Sequence, residues 1–466
     1  MLAAPLLAAL VSLAAGQGAA PPADAGLAER SRAGKELMGA GRYAEAAAAY
    51  RELVRAMPGN AGLLVNLGMA LHLSGKDAEA IPPLESALRL DPASLPANLF
   101  LGAARLRTGR AEAAVAPLQK AVRLQPDNLE ARSMLAEALM GLERPGQAEP
   151  HLRRITQLAP TDPAAWFNLG QAYEDLAGRA FHGLLEADPE SPFALALVGE
   201  VRLDEGRRTA AFQLYRQAVE RAPTMRGLHA ALARIYKETG HADWAAIEQE
   251  RERRLGAPDC TRASLACTFL AGKYRDVVTA AVDAKGVEAA YWRTRAYNEL
   301  ADESFSRLTS LPPSVHSYEW QAETARSQRR FVESIGFWRK ALALGSRDPR
   351  LLTELGVTLR MNRDLAEAER VLGEAVRADP EAPETNFLFG DVLLAAGVRW
   401  ATVDGSWVAL PKTTICVLAK LCFWTKPYSC AALLVARRMH PCEADLPSLE
   451  TAVVPWKATP RTKKMA

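Results

Sequence analysis

The sequence predicts an all-α fold, a right-handed solenoid of stacked helical hairpins, from three recurring features. Prolines stand 34 residues apart, small residues recur at the eighth position of each unit, and alanine with a larger apolar residue recurs in its second half. These are Pro58, Pro92, Pro126 and Pro160; Gly34, Gly68, Gly102, Ala136 and Gly170; and Ala46, Ala80, Ala114 and Ala148 with Tyr50, Leu84, Leu118 and Leu152. Such a period is typical of arrays in which each unit is a pair of helices.

Each feature has a physical reason within one hairpin. A glycine or alanine at the eighth position lets two helices approach closely, because no large side chain holds them apart. The alanine and the larger residue lie on one stripe of the second helix. The proline then ends that helix, since it cannot continue the backbone hydrogen bonding.

Further residues in the same register identify a family. They are Asn66-Leu67-Gly68, the run Trp166 to Gly170 with Tyr173, and Leu355-Gly356 with Ala368, Leu372, Ala375 and Pro380. In these residues the chain resembles the tetratricopeptide repeat family, over about four fifths of its length. The resemblance implies helix-turn-helix units, protein recognition through the inner groove, and no catalysis.

The pattern divides the chain into five segments. We expect four regular units in 27–162, irregular and degenerate units in 163–314, and units ending in an incomplete hairpin in 315–397. The segment Ala172 to Ala177 lacks the usual glycine-bearing turn, and Ala296 to Ala301 repeats this departure. We therefore expect these units to be shortened or fused into one longer helix, and a larger duplication to underlie them.

The two ends differ from the array. Residues 1–26 form a signal-like segment and linker, because Met1 to Gly16 is uncharged and apolar and Pro21-Pro22 follows. Residues 398–466 form an irregular non-repeat tail, and two interpretations stay open. Either the reading frame is disrupted there, or a separate small element covers the last helix.

Composition and motifs argue against several functions. The net charge is +3 at pH 7, with the positive excess in the tail, so the nearly neutral array favours no nucleic-acid partner. The Gly39 to Ala44 run resembles a dinucleotide fingerprint but follows no strand. Cys416, Cys422, Cys430 and Cys442 lack the close pairing of structural zinc ligands. We expect no enzyme activity, no cofactor and no metal.

The resemblance also implies which residues line the groove. Family positions that face inward fall on these candidates: Asn66, Met69, Phe100, Phe167, Asn168 and Gln171. Amides bond a peptide backbone in both directions, and Met and Phe give adaptable apolar contact. The alternative is ordinary packing between repeats. A two-carboxylate clamp is not supported, because Ser31, Pro96 and Phe100 occupy places that it needs.

Cys260 and Cys267 lie in a degenerate stretch and are candidates for a disulfide, with two separate thiols as the alternative.

The sequence therefore predicts a non-catalytic scaffold that binds protein or peptide segments, exported to a bacterial periplasm or secreted. Two alternatives remain. The array is the recognition arm of an enzyme or larger assembly protein whose C-terminal domain is lost after residue 397, or the N-terminal segment stays uncleaved and anchors it in a membrane.

Overall fold

The computed structural model describes residues 23–282, 284–345, 348–395, 400–403 and 406–409. Contacts within the chain divide it into two compact units, Met1–His151 (unit 1) and Leu152–Ala466 (unit 2). Most described residues are helical, so the predicted helical solenoid is confirmed. The predicted signal-like segment up to residue 22 and the tail beyond residue 409 lie outside the described residues.

Unit 1 is a succession of antiparallel helices, each packed on the next along the chain. Its helices are α1 (Ala23–Gly39), α2 (Tyr43–Ala56), α3 (Ala61–Leu73), α4 (Asp77–Leu90), α5 (Leu95–Arg107), α6 (Ala111–Leu124) and α7 (Leu129–Gly141), followed by α8 (Pro145–Leu158), which crosses the boundary between the units. Side-chain oxygens of Asn60, Ser94 and Asn128 cap α3, α5 and α7. Each cap accepts a hydrogen bond from a first-turn amide that has no partner inside its helix.

The turn within each hairpin depends on one residue in the left-handed backbone region. Gly41, Gly75 and Gly109 have φ values of 72°, 81° and 71°, and Glu143 takes the same place with φ 56°. The amide after Gly41 donates to the carbonyl of Leu37 at 2.9 Å. This residue reverses the chain and closes the hairpin locally, since glycine adopts the left-handed conformation at little cost.

The core of each hairpin is a large side chain seated on a small residue. A Cβ added at Gly68 would lie 2.3 Å from Leu84 Cγ, and one added at Gly102 would lie 2.4 Å from Leu118. The recurring small residue and the large residue of the second helix are therefore the two halves of one contact, which explains why both recur in the sequence.

Unit 2 contains hairpins of the same kind and two longer helices. Its elements are α9 (Pro163–Ala187), α10 (Pro192–Asp204), α11 (Arg208–Arg221), α12 (Leu228–Glu238), α13 (Ala242–Arg254), α14 (Ser264–Leu270), α15 (Tyr274–Ala281), α16 (Val287–Ser310), α17 (Val315–Ser327), α18 (Phe331–Gly345), α19 (Pro349–Met361), α20 (Leu365–Ala378), α21 (Pro383–Ala395), β1 (Trp400–Val403) and β2 (Ser406–Ala409). The strands β1 and β2 pair antiparallel, with Trp400 opposite Ala409. No pattern in the sequence predicted this hairpin.

The helices α9 and α16 pack antiparallel along their lengths. A Cβ added at Gly170 in α9 would lie 2.6 Å from the ring of Phe305 in α16. The rings of Tyr173 and Tyr297 approach with centroids 6.2 Å apart, and Leu184 shares a cluster with Tyr291. The first half of each helix therefore pairs with the second half of the other, as if two hairpins had opened and exchanged their second helices.

The absence of a turn residue accounts for this arrangement. The place that carries the left-handed glycine in unit 1 is Ala177 in α9 and Ala301 in α16, and both alanines are buried within continuous helix. Alanine has the highest helix propensity, so the chain continues straight through the turn. Both segments are continuous helices, as the expectation of a fused helix describes. Each of these helices pairs along its length with the other and not with the helix that follows it in the chain. Helices α10 to α15 intervene, and the array resumes where α17 packs on α9.

Candidate functional site

Three first helices of unit 1, α3, α5 and α7, form one continuous layer, and α1 precedes them in the chain. Helix α3 contacts α5, and α5 contacts α7, in addition to the contacts that each makes with its second helix. Among the described residues, no contact of this extent is found between the second helices α4 and α6, so the first helices lie on the tighter side of the stack. We call their open surface the unit 1 inner face, formed by Arg32, Lys35, Asn66, Met69, Phe100, Glu130, Met134 and Glu137.

The centre of the unit 1 inner face is amide and apolar. Asn66 on α3 is half-buried, and Met69 and Phe100 pack on the core while part of each side chain stays open. An amide with two kinds of hydrogen-bonding group beside a thioether and an aromatic ring suits an extended peptide. Three of the residues singled out from the sequence are therefore partly open on the two contacting helices α3 and α5.

A polar network of the buried residues His72 and Asp77 with the exposed Arg107 adjoins this centre. His72 Nδ1 lies 2.5 Å from Asp77 Oδ1, and Arg107 Nε lies 3.0 Å from the second Asp77 oxygen. The His72 ring meets the Phe100 ring edge-on with centroids 5.6 Å apart. The network links the end of α3, the start of α4 and the end of α5, so it fixes the orientation of Phe100 from below.

The other three candidates lie in unit 2 and have different surroundings. Phe167 is only 4% exposed, and its ring stacks on His316 and meets Phe305 edge-on. Its side chain therefore packs inside the unit, as the packing alternative proposed. Asn168 is exposed and Gln171 is half-buried on the same helix.

The first helices α17, α19 and α21 carry a charged face that the sequence analysis missed. Arg326 Nη1 lies 2.6 Å from Glu354 Oε2, and Arg360 Nε lies 2.5 Å from Asp391 Oδ2. Each pair joins neighbouring first helices. The signal available in the sequence was the placement of charged residues at inward-facing repeat positions of these units.

A third pair on this face is bidentate. Arg350 donates to both oxygens of Glu319, whose side chain is fully buried, with Nη2 at 3.0 Å from Oε2. Burial alone lowers the pKa of Arg350, but the hydrogen bond and charge of Glu319 raise it above its usual value. Because these charges neutralise each other within the protein, the face has less capacity to bind an external charge.

Cys260 and Cys267 are joined by a disulfide with an S–S distance of 2.02 Å and a Cα–Cα distance of 5.6 Å. The bridge joins the loop that follows α13 to helix α14. A disulfide in this position is compatible with an oxidising compartment.

Among the described residues, no three His, Cys, Asp or Glu side chains converge as metal ligands. Within the same residues, no helix combines the length and the apolar character that crossing a bilayer requires. The four tail cysteines lie outside the described residues.

Family models described as tetratricopeptide repeat match the chain in several places. One matches residues 31–95, 84–128 and 353–397, and a second matches residues 109–172. No curated protein matches the chain significantly.

Solved structures with similar folds include other repeat proteins. A crystal structure of the MamA protein is 21% identical over 42% of this chain and 92% of its own, with a TM-score of 0.31. YrrB, described as a TPR protein with an unusual peptide-binding site, is 19% identical over 45% of this chain and 93% of its own, with a TM-score of 0.26. A tetratricopeptide repeat protein from Parabacteroides merdae is 14% identical over 72% of this chain and 98% of its own, with a TM-score of 0.34.

Proposed function

This chain belongs to the tetratricopeptide repeat family, and from that premise we propose that it is a non-catalytic scaffold that binds an extended segment of another protein along the unit 1 inner face. The observation that carries the proposal is the partly open cluster of Asn66, Met69 and Phe100 on two adjoining first helices. A protein-binding surface typically has such a centre, with an aromatic or apolar anchor beside a group that hydrogen-bonds the backbone.

The network under Phe100 supports the same proposal. A ring held from below by His72 loses little conformational freedom when a ligand packs on it. The same reasoning applies less well to the face of α17, α19 and α21, where neighbouring helices already use their charged groups to bind each other.

We also propose that the scaffold acts outside the cytoplasm, in a bacterial envelope or secreted. The uncharged start from Met1 to Gly16 and the disulfide between Cys260 and Cys267 support this localisation. Fractionation of cells that express the full chain, with thiol labelling before and after reduction, tests it. Recovery in the cytoplasm, with Cys260 and Cys267 both labelled before reduction, would contradict it.

The binding proposal is tested with fluorescently labelled ten-residue peptides, each with one central Leu or Phe, titrated with the full chain. Replacing the anchor by Phe100→Ala should weaken binding about tenfold or more, because an aromatic anchor is lost. Asn66→Ala should weaken it about fivefold through the lost backbone hydrogen bond.

The matched control is Leu90→Ala, which removes an exposed apolar side chain from the second helix α4 in the same unit. It should leave the affinity unchanged. Circular dichroism establishes that each variant is folded. Equal loss of affinity in Phe100→Ala and Leu90→Ala, or no binding to any peptide, would overturn the proposal.

A further inference from the structure

Four charged side chains on the unit 1 inner face have no ionic partner. Elsewhere in this unit, charged residues pair between hairpins, as Arg51 does with Glu79 at 2.9 Å. The four side chains are those of Arg32 and Lys35 on α1 and of Glu130 and Glu137 on α7, and all four are exposed. Within the described part of the chain, they form no ion pair and no side-chain hydrogen bond. Charges left unpaired on a surface with an apolar centre are available to a ligand.

The positive and the negative charges are separated along the inner face. Arg32 and Lys35 place a positive charge on the first layer, and Glu130 and Glu137 place a negative charge on the fourth. The layers between them, α3 and α5, present the neutral cluster around Phe100. The charged residues of those two helices are Arg105 and Arg107, and they are paired with Glu85 and Asp77 respectively. The inner face is therefore basic at one end, apolar in the middle and acidic at the other.

The spacing of helices converts this order into a peptide length. Packed helices lie about 8–10 Å apart, so the steps α3–α5 and α5–α7 together span roughly 16–20 Å. The step from α1 to α3 adds at least one more such spacing, which gives a total of at least about 24–30 Å. An extended chain advances about 3.3 Å per residue, so the two charged ends of the face are at least about seven to nine residues apart on a bound peptide.

We propose that the unit 1 inner face selects an extended peptide with acidic residues at one end, a large apolar residue at its centre, and basic residues at the other end. The acidic residues lie on Arg32 and Lys35, the apolar residue packs on Met69 and Phe100, and the basic residues lie on Glu130 and Glu137. This selectivity rests on the proposed function, which supplies the binding surface, and adds the chemistry of the partner.

The experiment uses four nine-residue peptides that share a central Leu and Ser/Gly spacers. Each peptide has two identical residues at its first end and two identical residues at its second end. In the four peptides these are Glu and then Lys, Glu at both ends, Lys at both ends, and Ser at both ends. Each peptide is titrated with the full chain and with two charge-reversed variants, Arg32→Glu/Lys35→Glu and Glu130→Lys/Glu137→Lys. The reversed side chains are exposed, so both variants should fold as the parent does.

The parent chain should bind the Glu–Lys peptide about three- to tenfold more tightly than the Ser–Ser peptide, because two exposed ion pairs form at each end. Arg32→Glu/Lys35→Glu should transfer the preference to the Lys–Lys peptide, and Glu130→Lys/Glu137→Lys should transfer it to the Glu–Glu peptide. All these affinity ratios should approach one in 1 M salt, where the screening length is about 3 Å.

The two proposals fail in different ways. If all four peptides bind the parent and both variants equally, and Phe100→Ala still weakens them, the peptide site stands and the charge selectivity is overturned. If no peptide binds, or Phe100→Ala has no effect, the proposed function itself fails. A preference for the Glu–Glu or Lys–Lys peptide in the parent chain also overturns the assignment of the two ends.

Discussion

The hairpins of unit 1 and the pair α9–α16 make the same core contact by different routes. In unit 1, Gly68 receives Leu84 from the helix that follows it directly. In unit 2, Gly170 receives Phe305 from a helix that lies beyond six others in the chain. The comparison shows that the fit between a small residue and a large one specifies which surfaces meet. The turn residue determines whether they meet locally.

The most damaging change should be the removal of the long-range side chain. Phe305 is 2% exposed and stacks on Trp320 with ring centroids 5.3 Å apart, so Phe305→Ala leaves a buried cavity. We expect the free energy of unfolding of unit 2 to fall by about 3–5 kcal/mol. Denaturant unfolding followed by hydrogen exchange of α9 amides measures this loss.

The matched change in unit 1 is Leu118→Ala, which should cost about 2–5 kcal/mol. Its effect on exchange should stay within α5 and α6, because its partner Gly102 is in the same hairpin. If the α9 amides of the Phe305→Ala variant exchange as slowly as those of the parent chain, Phe305 does not stabilise that helix.

Two glycines of α9 should respond to alanine in opposite directions. A Cβ at Gly170 would lie 2.6 Å from Phe305, whereas a Cβ at Gly178 would have nothing within 4 Å. Gly170→Ala should lower the free energy of unfolding by about 1–2 kcal/mol through overpacking. Gly178→Ala should raise it by about 0.5–1 kcal/mol, since alanine favours helix.

Thermal or denaturant unfolding of these two variants measures the difference. Gly68→Ala serves as the local counterpart of Gly170→Ala, because its Cβ would meet Leu84 at 2.3 Å. A stabilised Gly170→Ala would mean that the two long helices are not in contact at this point.

The smallest expected effect concerns a buried hydroxyl in α16. Thr294 occupies the repeat position of the small residue, its side chain is fully buried, and its Oγ1 has no hydrogen-bond partner in the described structure. Replacing the hydroxyl by a methyl group in Thr294→Val should raise the free energy of unfolding by about 1 kcal/mol, because an unsatisfied polar atom is removed. Chemical denaturation checks this, and a destabilised variant would indicate that the hydroxyl has a partner.

The sequence was sufficient to predict the hairpins but not the partner of α9. Local signals, namely Gly68, Leu84 and the turn glycine Gly75, all lie within one unit and specify one contact. The alanine-rich segments around Ala177 and Ala301 predicted fused helices for the same reason. Which helix receives Gly170 depends on a contact with Phe305 that no local pattern encodes.

The candidate site residues also differ between local and long-range packing. Asn66, Met69 and Phe100 remain partly open, because only their own and adjoining hairpins surround them. Phe167 occupies an equivalent inward-facing region of its repeat but is covered by His316 and Phe305 from distant helices. Repeat position therefore predicts accessibility only where the stacking is sequential.

The pairing of α9 with α16 has a consequence during synthesis on the ribosome. Hairpins such as α3–α4 can form as soon as their second helix has been translated, whereas the apolar stripe of α9 has no α16 to pack on until all of α10 to α15 has been made. Contacts of large sequence separation form slowly and leave apolar surface exposed in the meantime. Nascent chains that end before residue 287 should therefore be the forms that chaperones bind most strongly.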